Sequence, residues 1–142
     1  MKSHRQELWF NVPGVNNMTQ GLMLGNGRMG ALVPGNTTNE SIVLNESSLW
    51  TGNTNLSGNY DTSSAGAGNM GYYQTFGNLV LSLPSHKNPT NYIRELNLSN
   101  AVARVTYKVG STNFTREIFC SYPDEDIVIS SRRTPQTRIQ AR

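Results

Sequence analysis

Alternation of apolar and polar residues is the main pattern along this chain, and it predicts β-strands. From residue 101 to residue 109 every second residue is apolar: Ala101, Ala103, Val105, Tyr107 and Val109. The residues between them include Arg104, Thr106 and Lys108. A period of two that lasts nine residues is typical of a strand with one face buried and the other in solvent.

Two further strands are predicted after this one. Turn residues at 110–112 precede a segment in which Phe114, Ile118 and Cys120 share one face, although Arg116 and Phe119 interrupt the alternation. A second turn at Pro123-Asp124 leads into the apolar run 127–129. Short turns between consecutive strands favour antiparallel pairing, so the sequence predicts a three-stranded meander.

The first part of the chain contains shorter signals of the same kind. Leu79, Leu81 and Leu83 alternate with polar residues before Pro84, and short apolar runs occupy 29–33 and 42–44. Residues 91–98 fit a short helix or a strand equally well. Residues 51–71 consist almost entirely of Gly, Asn, Ser and Thr, which predicts a long exposed loop.

Length and composition are compatible with one globular domain of the all-β class. The chain has 142 residues, of which 36% are hydrophobic and 15% charged. It lacks an apolar run of the roughly 18 residues that a membrane span needs, so we expect no membrane partner. The start is basic without a following apolar segment, so no signal peptide is predicted and the chain as written reads as cytoplasmic.

Metal and cofactor chemistry is not indicated by the sequence. The one cysteine, Cys120, excludes an intrachain disulfide and a cysteine-based zinc cluster. The two histidines, His4 and His86, lie far apart without acidic neighbours at ligand spacing. We therefore expect neither a metal site nor a cofactor.

The net charge of +3 is located in the last residues of the chain. Residues 131–142 carry four of the 12 basic residues and none of the nine acidic ones, which leaves 8 − 9 = −1 for the remainder. A basic tail of this kind makes nonspecific phosphate contact an alternative. Low apolar content instead favours a disordered tail over residues 130–142, and we expect no nucleic-acid partner.

The segment from Gly25 to Gly30 matches the dinucleotide pattern G-x-G-x-x-G. That pattern binds a pyrophosphate only where a strand precedes it and a helix begins at its end. Here Pro34-Gly35 ends the apolar run after five residues, so no helix of useful length follows. The glycines instead indicate a tight connection between two strands, with positive φ.

Paired carboxylates, which a glycosidase needs, are not evident in the sequence. The candidates are Glu46, which precedes Trp50, then Asp61 in the polar loop, and the cluster 124–126 beside Pro123. The cluster is best explained as a solvated turn. For Glu46, the simpler interpretation is a turn anchored by Asn45 with Trp50 in the core.

Several segments together are similar to the N-terminal domain of glycoside hydrolase family 95, the α-L-fucosidase family. They occur in the family's order between residues 7 and 129: Leu8-Trp9-Phe10, Leu24-Gly25-Asn26-Gly27-Arg28-Met29-Gly30-Ala31-Leu32-Val33-Pro34-Gly35, the segment 40–52, Tyr73-Gln74-Thr75-Phe76-Gly77-Asn78-Leu79, Tyr92-Ile93-Arg94-Glu95-Leu96-Asn97-Leu98, and the segment 101–126.

The resemblance implies an antiparallel β-sandwich of the supersandwich type, which complete members follow with an (α/α)₆ barrel. Those members, often exported, remove terminal α-L-fucose with inversion, using groups of the barrel. No catalytic residue can therefore be assigned here, and the barrel is absent. The resemblance assigns residues 1–129 to an incomplete sandwich, and the similarity ends abruptly near Ile129, which indicates a truncated or frame-shifted reading. Exposed sheet edges then predict marginal stability.

The leading functional hypothesis is a non-catalytic piece of an α-L-fucosidase-like hydrolase, whose partners would be the barrel and a fucosylated glycan. The matched residues Asn26, Arg28, Asn45 and Glu46 are then expected to shape loops and to pack on the barrel. The alternative is a carbohydrate-binding module in which aromatic side chains near the polar loop, chiefly Trp50 and Tyr73, stack on sugars.

Overall fold

The strand pattern of the sequence is realised in two antiparallel sheets. A computed structural model describes residues 6–51 and 74–135. Its elements are β1 (Glu7–Phe10), α1 (Asn17–Gln20), β2 (Leu22–Gly25), β3 (Met29–Val33), β4 (Asn39–Glu46), β5 (Gly77–Ser82), β6 (Thr90–Asn97), β7 (Val102–Val109), β8 (Thr112–Cys120) and β9 (Ile127–Pro135).

The sheets have a simple strand order. Five strands form one sheet in the order β1-β6-β7-β8-β9, and four form the other in the order β2-β3-β4-β5. Every neighbouring pair is antiparallel. The all-β sandwich is thereby confirmed, and so is the meander of three consecutive strands, which is β7-β8-β9.

The core lies where the facing sides of the two sheets meet. It contains Leu22, Leu24, Ala31, Val33, Ile42, Leu96, Ala103 and Ile118. On β7 the buried residues are Ala103, Val105 and Tyr107, the face that the alternation predicted. Residues 91–98, for which a helix and a strand fitted equally well, fall in strand β6 up to Asn97, because Arg94 and Leu96 continue the inward face.

Strand β9 corrects one expectation from the sequence. Residues 130–142 were expected to be a disordered tail, but residues 130–135 continue β9 and pair with β8 from Glu117 to Thr112. Pairing with an existing strand does not require apolar content, because the backbone supplies the hydrogen bonds. The Arg132 guanidinium also lies 3.7 Å from Glu117 on β8, and Pro135 stands at the end of an edge strand, where proline is tolerated.

An ion pair joins the two sheets inside the sandwich. Glu40 on β4 and Arg116 on β8 are 0% and 2% exposed and bind each other through one carboxylate oxygen and Nη2. Burial raises the pKa of Glu40, while Arg116 and the amides of Gly35 and Asn36 oppose that rise. Arg116 interrupted the alternation of β8 in sequence, but its side chain lies on the inward face together with Ile118.

The turn between β3 and β4 supplies further partners for these buried groups. Arg116 Nη2 donates to the Asn36 carbonyl at 2.7 Å, and Gly35 N donates to Glu40 at 2.9 Å. Tyr92 donates to the Gly35 carbonyl at 2.7 Å. Gly35 has φ +84, and a Cβ there would lie 2.5 Å from the Tyr92 hydroxyl, so the turn requires glycine.

A second buried arginine secures the start of the chain. Arg94 Nε donates to the Val12 carbonyl at 2.9 Å, and Nη1 donates to the carbonyls of Gln20 and Pro34. Its guanidinium lies 4.4 Å from the centre of the Phe10 ring, within cation–π range. Arg94 thereby holds the segment from β1 to α1 against the sandwich.

Glu40→Gln should lower the free energy of unfolding by about 3 kcal/mol, because it leaves the Arg116 charge buried without a carboxylate. The matched control is Glu95→Gln on the outer face, which should cost less than about 1 kcal/mol. Urea denaturation at neutral pH measures both, and equal losses would contradict the structural role of the buried pair. Replacing both partners, as Glu40→Leu with Arg116→Met, should recover most of the loss.

Candidate functional site

Three turns meet at one end of the sandwich, which we call the hairpin end. They are the β2–β3 turn (26–28), the turn after β4 (47–50) and the β8–β9 turn (121–126). Gly27 has φ +94 and open space around it, so only glycine fits this turn without strain. The tight connection between strands that was predicted for the glycine-rich segment is confirmed, and β3 rather than a helix follows it.

Asn26 connects the two sheets at the hairpin end. Its side-chain oxygen accepts from the amides of Arg28 at 3.1 Å and Met29 at 2.7 Å, which closes the β2–β3 turn. Its side-chain nitrogen donates to the Ser121 carbonyl at 2.6 Å. One side chain therefore fixes its own turn and ties it to a turn of the opposite sheet.

Arg28 binds a carboxylate on each side. Its Nε donates to Glu46 Oε1 at 3.1 Å, and its Nη1 binds Glu125 of the β8–β9 turn. Its carbonyl accepts from Ser47 N at 2.8 Å. The resemblance singled out Arg28 and Glu46, and the structure brings them together. Glu125 belongs to the carboxylate cluster 124–126, whose sequence fits a solvated turn. Its partner Arg28 lies 97 residues away, so no local pattern indicates their contact.

The charge of Glu46 is stabilised by its surroundings. Hydrogen bonds from the Ser48 hydroxyl and from Arg28 lower the pKa of Glu46, and both carboxylates raise the pKa of Arg28. A general acid needs a carboxyl group that holds its proton near neutral pH, which requires a raised pKa. Glu46 is therefore suited to holding Arg28 and unsuited to protonating a leaving group.

Trp50 lies outside the core, contrary to the simpler interpretation of its sequence context. Its side chain is 60% exposed, and its indole nitrogen donates to the Ser47 carbonyl at 3.0 Å. Trp50 does not pack in the core because β4 ends at Glu46, and Trp50 lies in the turn that follows the strand. The expected turn anchored by Asn45 is also not found, because Asn45 lies within β4 and pairs with Gly30, and the turn is held by Glu46, which accepts from Ser48 N at 2.9 Å. Tyr73 and Asp61 lie outside the described residues.

A polar cavity of about 300 Å³ opens at the hairpin end. Its lining is formed by Asn26, Gly27, Arg28, Tyr122 and Glu125. Tyr122 is 78% exposed. Asp124 binds the Ser121 hydroxyl at 2.6 Å, as expected for a solvated turn, whereas Glu125 next to it turns toward Arg28 with φ +54.

An apolar groove of about 360 Å³ lies along the first segment of the chain. It is lined mainly by aliphatic and aromatic side chains of β1, the connection to α1, and β2, among them Leu8, Phe10, Val12, Val15 and Met23. Each of these five side chains is exposed, with Val15 at 93%. A continuous apolar surface of this kind is characteristic of a contact surface for another domain or protein.

Neither a cluster of metal-binding side chains nor a membrane-spanning helix occurs in the part of the chain that the structure describes. Within residues 6–51 and 74–135, no group of three or more His, Cys, Asp or Glu side chains is placed to hold a metal ion. The same ranges contain no helix with the length and apolar character of a bilayer span.

Comparison with known proteins connects this fold to glycoside hydrolases. The family profile described as "Glycosyl hydrolase family 65, N-terminal domain" matches residues 8–67 and 59–141. The match continues to residue 141, as β9 continues past residue 129, so the abrupt end of similarity near Ile129 predicted from the sequence is wrong.

Curated relatives of similar sequence carry fucosidase names. Alpha-L-fucosidase 2 of Arabidopsis thaliana is 34% identical over 86% of this chain. A protein of Aspergillus niger named "Probable alpha-fucosidase A" is 34% identical over 84% of it, and its namesake from Aspergillus oryzae is 27% identical over 70%. The aligned regions cover 17%, 19% and 18% of these relatives, so the chain spans less than a fifth of their length.

Asn26→Ala should lower the free energy of unfolding by about 1–2 kcal/mol, because two backbone amides and the Ser121 carbonyl lose their side-chain partner. Asn113→Ala on β8, an exposed asparagine, serves as the matched control and should stay within about 0.5 kcal/mol of the parent. Denaturant unfolding of both variants gives the comparison. A loss no larger than that of the control would show that Asn26 does not tie the sheets together.

Arg28→Gln should raise the pKa of Glu46 toward its ordinary value of 4.5, because one of the groups that favour the carboxylate is removed. The rise should be incomplete, since Ser48 still donates to Glu46. Carboxyl-carbon NMR over a pH titration measures it. The matched control is Arg104→Gln, which leaves Arg28 and Ser48 in place and should not move the Glu46 midpoint. An unchanged Glu46 midpoint would contradict the ion pair in solution.

Proposed function

This chain belongs to the family of glycosyl hydrolase family 65 N-terminal domains, and from that premise we propose that it is the non-catalytic β-sandwich domain of an α-L-fucosidase-like hydrolase. The parent enzyme would be of the family 95 type and would cleave terminal α-L-fucosides with inversion in a helical barrel. The observation that carries the proposal is the 34% identity to two fucosidases over more than four fifths of the chain.

The carboxylates of the described residues support a non-catalytic role. Glu40 has a raised pKa but is completely buried against Arg116, beyond the reach of any substrate. Glu46 is accessible but has a lowered pKa. Glu95 and Glu117 both bind Arg104 on the outer face of the five-stranded sheet. Neither Glu40 nor Glu46 combines access to solvent with a raised pKa, which a general acid requires.

The apolar groove supports a role in domain packing. We propose the helical barrel as its occupant, because a domain of a larger enzyme needs an apolar contact surface to hold a fixed orientation. The hairpin end, with Asn26, Arg28, Asn45 and Glu46, is the second surface expected to contact the barrel. Its hydrogen bonds keep three turns in one arrangement that a partner can recognise.

A chimera tests the proposed function directly. Residues 1–142 would replace the matched segment of Arabidopsis alpha-L-fucosidase 2, and the purified protein would be assayed with 4-nitrophenyl α-L-fucoside. We expect hydrolysis by the chimera, no hydrolysis by the present chain alone, and none by the relative with the segment deleted. A soluble, folded chimera as inactive as the deletion would overturn the proposal.

A matched pair of variants in the chimera tests the apolar groove. Val15→Asp places a charge in the groove and should reduce the yield of active chimera, whereas Val80→Asp on β5 lies outside it and should not. Equal effects would exclude the groove as the contact surface. Both valines are exposed, so neither change disturbs the core of the sandwich itself.

A further inference from the structure

The polar cavity at the hairpin end is large enough for a small molecule and offers hydrogen-bonding groups beside an aromatic ring. Its volume of about 300 Å³ lies at the lower end of the range for such sites. It combines a guanidinium, a carboxylate, a primary amide and an exposed tyrosine ring within one lining. The cavity exists only in the folded sandwich, because its residues come from turns of opposite sheets.

The charges of the cavity select for a neutral ligand. The charged side chains of the lining, Arg28 and Glu125, bind each other and sum to zero, and Arg28 also binds Glu46 outside the lining. An anion such as phosphate would meet a guanidinium already neutralised by two carboxylates. A simple cation would compete with Arg28 for those same carboxylates. A neutral polyhydroxyl ligand can bind while both ion pairs of Arg28 stay intact, since its hydroxyl groups accept from guanidinium N–H groups and donate to carboxylate oxygens.

The hydrogen-bonding groups of Arg28 are only partly used by these contacts. The two ion pairs described here involve Nε and Nη1, whereas the guanidinium carries five N–H donors. Glu125 binds Arg28 through Oε2, and its Oε1 is the second acceptor of the same carboxylate. Adjacent donor and acceptor atoms of this kind match two neighbouring hydroxyl groups of a sugar ring.

The tyrosine and the glycine complete the fit. Tyr122 presents an exposed ring with an apolar face, on which the C–H face of a pyranose can pack. Gly27 has no side chain, and nothing lies within 4 Å of where a Cβ would stand. A ring can therefore approach the backbone at this position. Asn26 fixes the arrangement by joining the β2–β3 turn to Ser121.

The geometry points to a binding site for one neutral pyranose ring in this cavity, with Arg28 and Glu125 contacting its hydroxyl groups and Tyr122 packing on its face. That the ring is a fucoside rests on the proposed function. A ring bound there would lie at the edge of the surface expected to contact the barrel and would undergo no chemical step.

The test is a titration of the complete 142-residue chain with methyl α-L-fucopyranoside, followed by amide NMR. We expect shifts concentrated at Gly27, Arg28, Tyr122 and Glu125, with a dissociation constant of about 1 mM, since the cavity is open and the contacts are few. Tyr122→Ala should weaken binding about fivefold, whereas Tyr122→Phe should retain it because the ring remains. Trp9→Ala removes another exposed aromatic residue and should change nothing.

Several outcomes would overturn the site. They are the absence of shifts in a well-dispersed spectrum, shifts located elsewhere, equal effects of the Tyr122 and Trp9 variants, and saturable binding of inorganic phosphate at the same residues. The chimera separates the two proposals. An inactive chimera whose isolated domain binds the sugar contradicts the proposed function alone, and an active chimera whose isolated domain does not bind contradicts this site alone.

Discussion

The ion pair between Glu40 and Arg116 is the contact on which the arrangement of the two sheets depends. It crosses the sandwich from β4 to β8, and both side chains are fully enclosed. A shift of one residue in the register of either strand would place one charge outside and leave the other buried alone. The pair therefore makes one strand register far more favourable than the registers shifted by one residue. Apolar residues alone would give a smaller difference in free energy between these registers.

Two other arginines also hold together parts of the chain that are distant in sequence. Arg94 binds three backbone carbonyls and holds the first segment of the chain, whereas Arg28 binds carboxylates from two different turns. In each case one guanidinium with several donors links segments that are far apart in sequence. Burial distinguishes the roles of these arginines. Arg94 and Arg116 are buried and stabilise the fold, whereas Arg28 is exposed and can contact a ligand.

The surfaces of the domain support the proposal that it is a scaffold inside a larger glycosidase. Its outer face carries a row of alternating charges across β6, β7, β8 and β9: Glu95, Arg104, Glu117 and Arg132. Such a face is suited to solvent, whereas the groove along the first segment exposes apolar side chains that another domain would cover. The hairpin end lies between these extremes, since it is polar, accessible and fixed by hydrogen bonds.

Much of this protein follows from its sequence by itself. The period-two alternation determined the meander β7-β8-β9 and which side of β7 is buried, and the glycine-rich segment determined a turn, whereas residues 91–98 stayed open between helix and strand. The resemblance singled out Asn26, Arg28 and Glu46 but gave no sign of their contacts with Ser121 and Glu125, because pairing across 95 or more residues leaves no local pattern. Arg116 looked like an interruption of its strand, since the partner that makes its burial tolerable lies 76 residues earlier. The tertiary structure alone decided these contacts, because local propensity fixes the period of a strand and only the packing of one sheet on another fixes which charges meet.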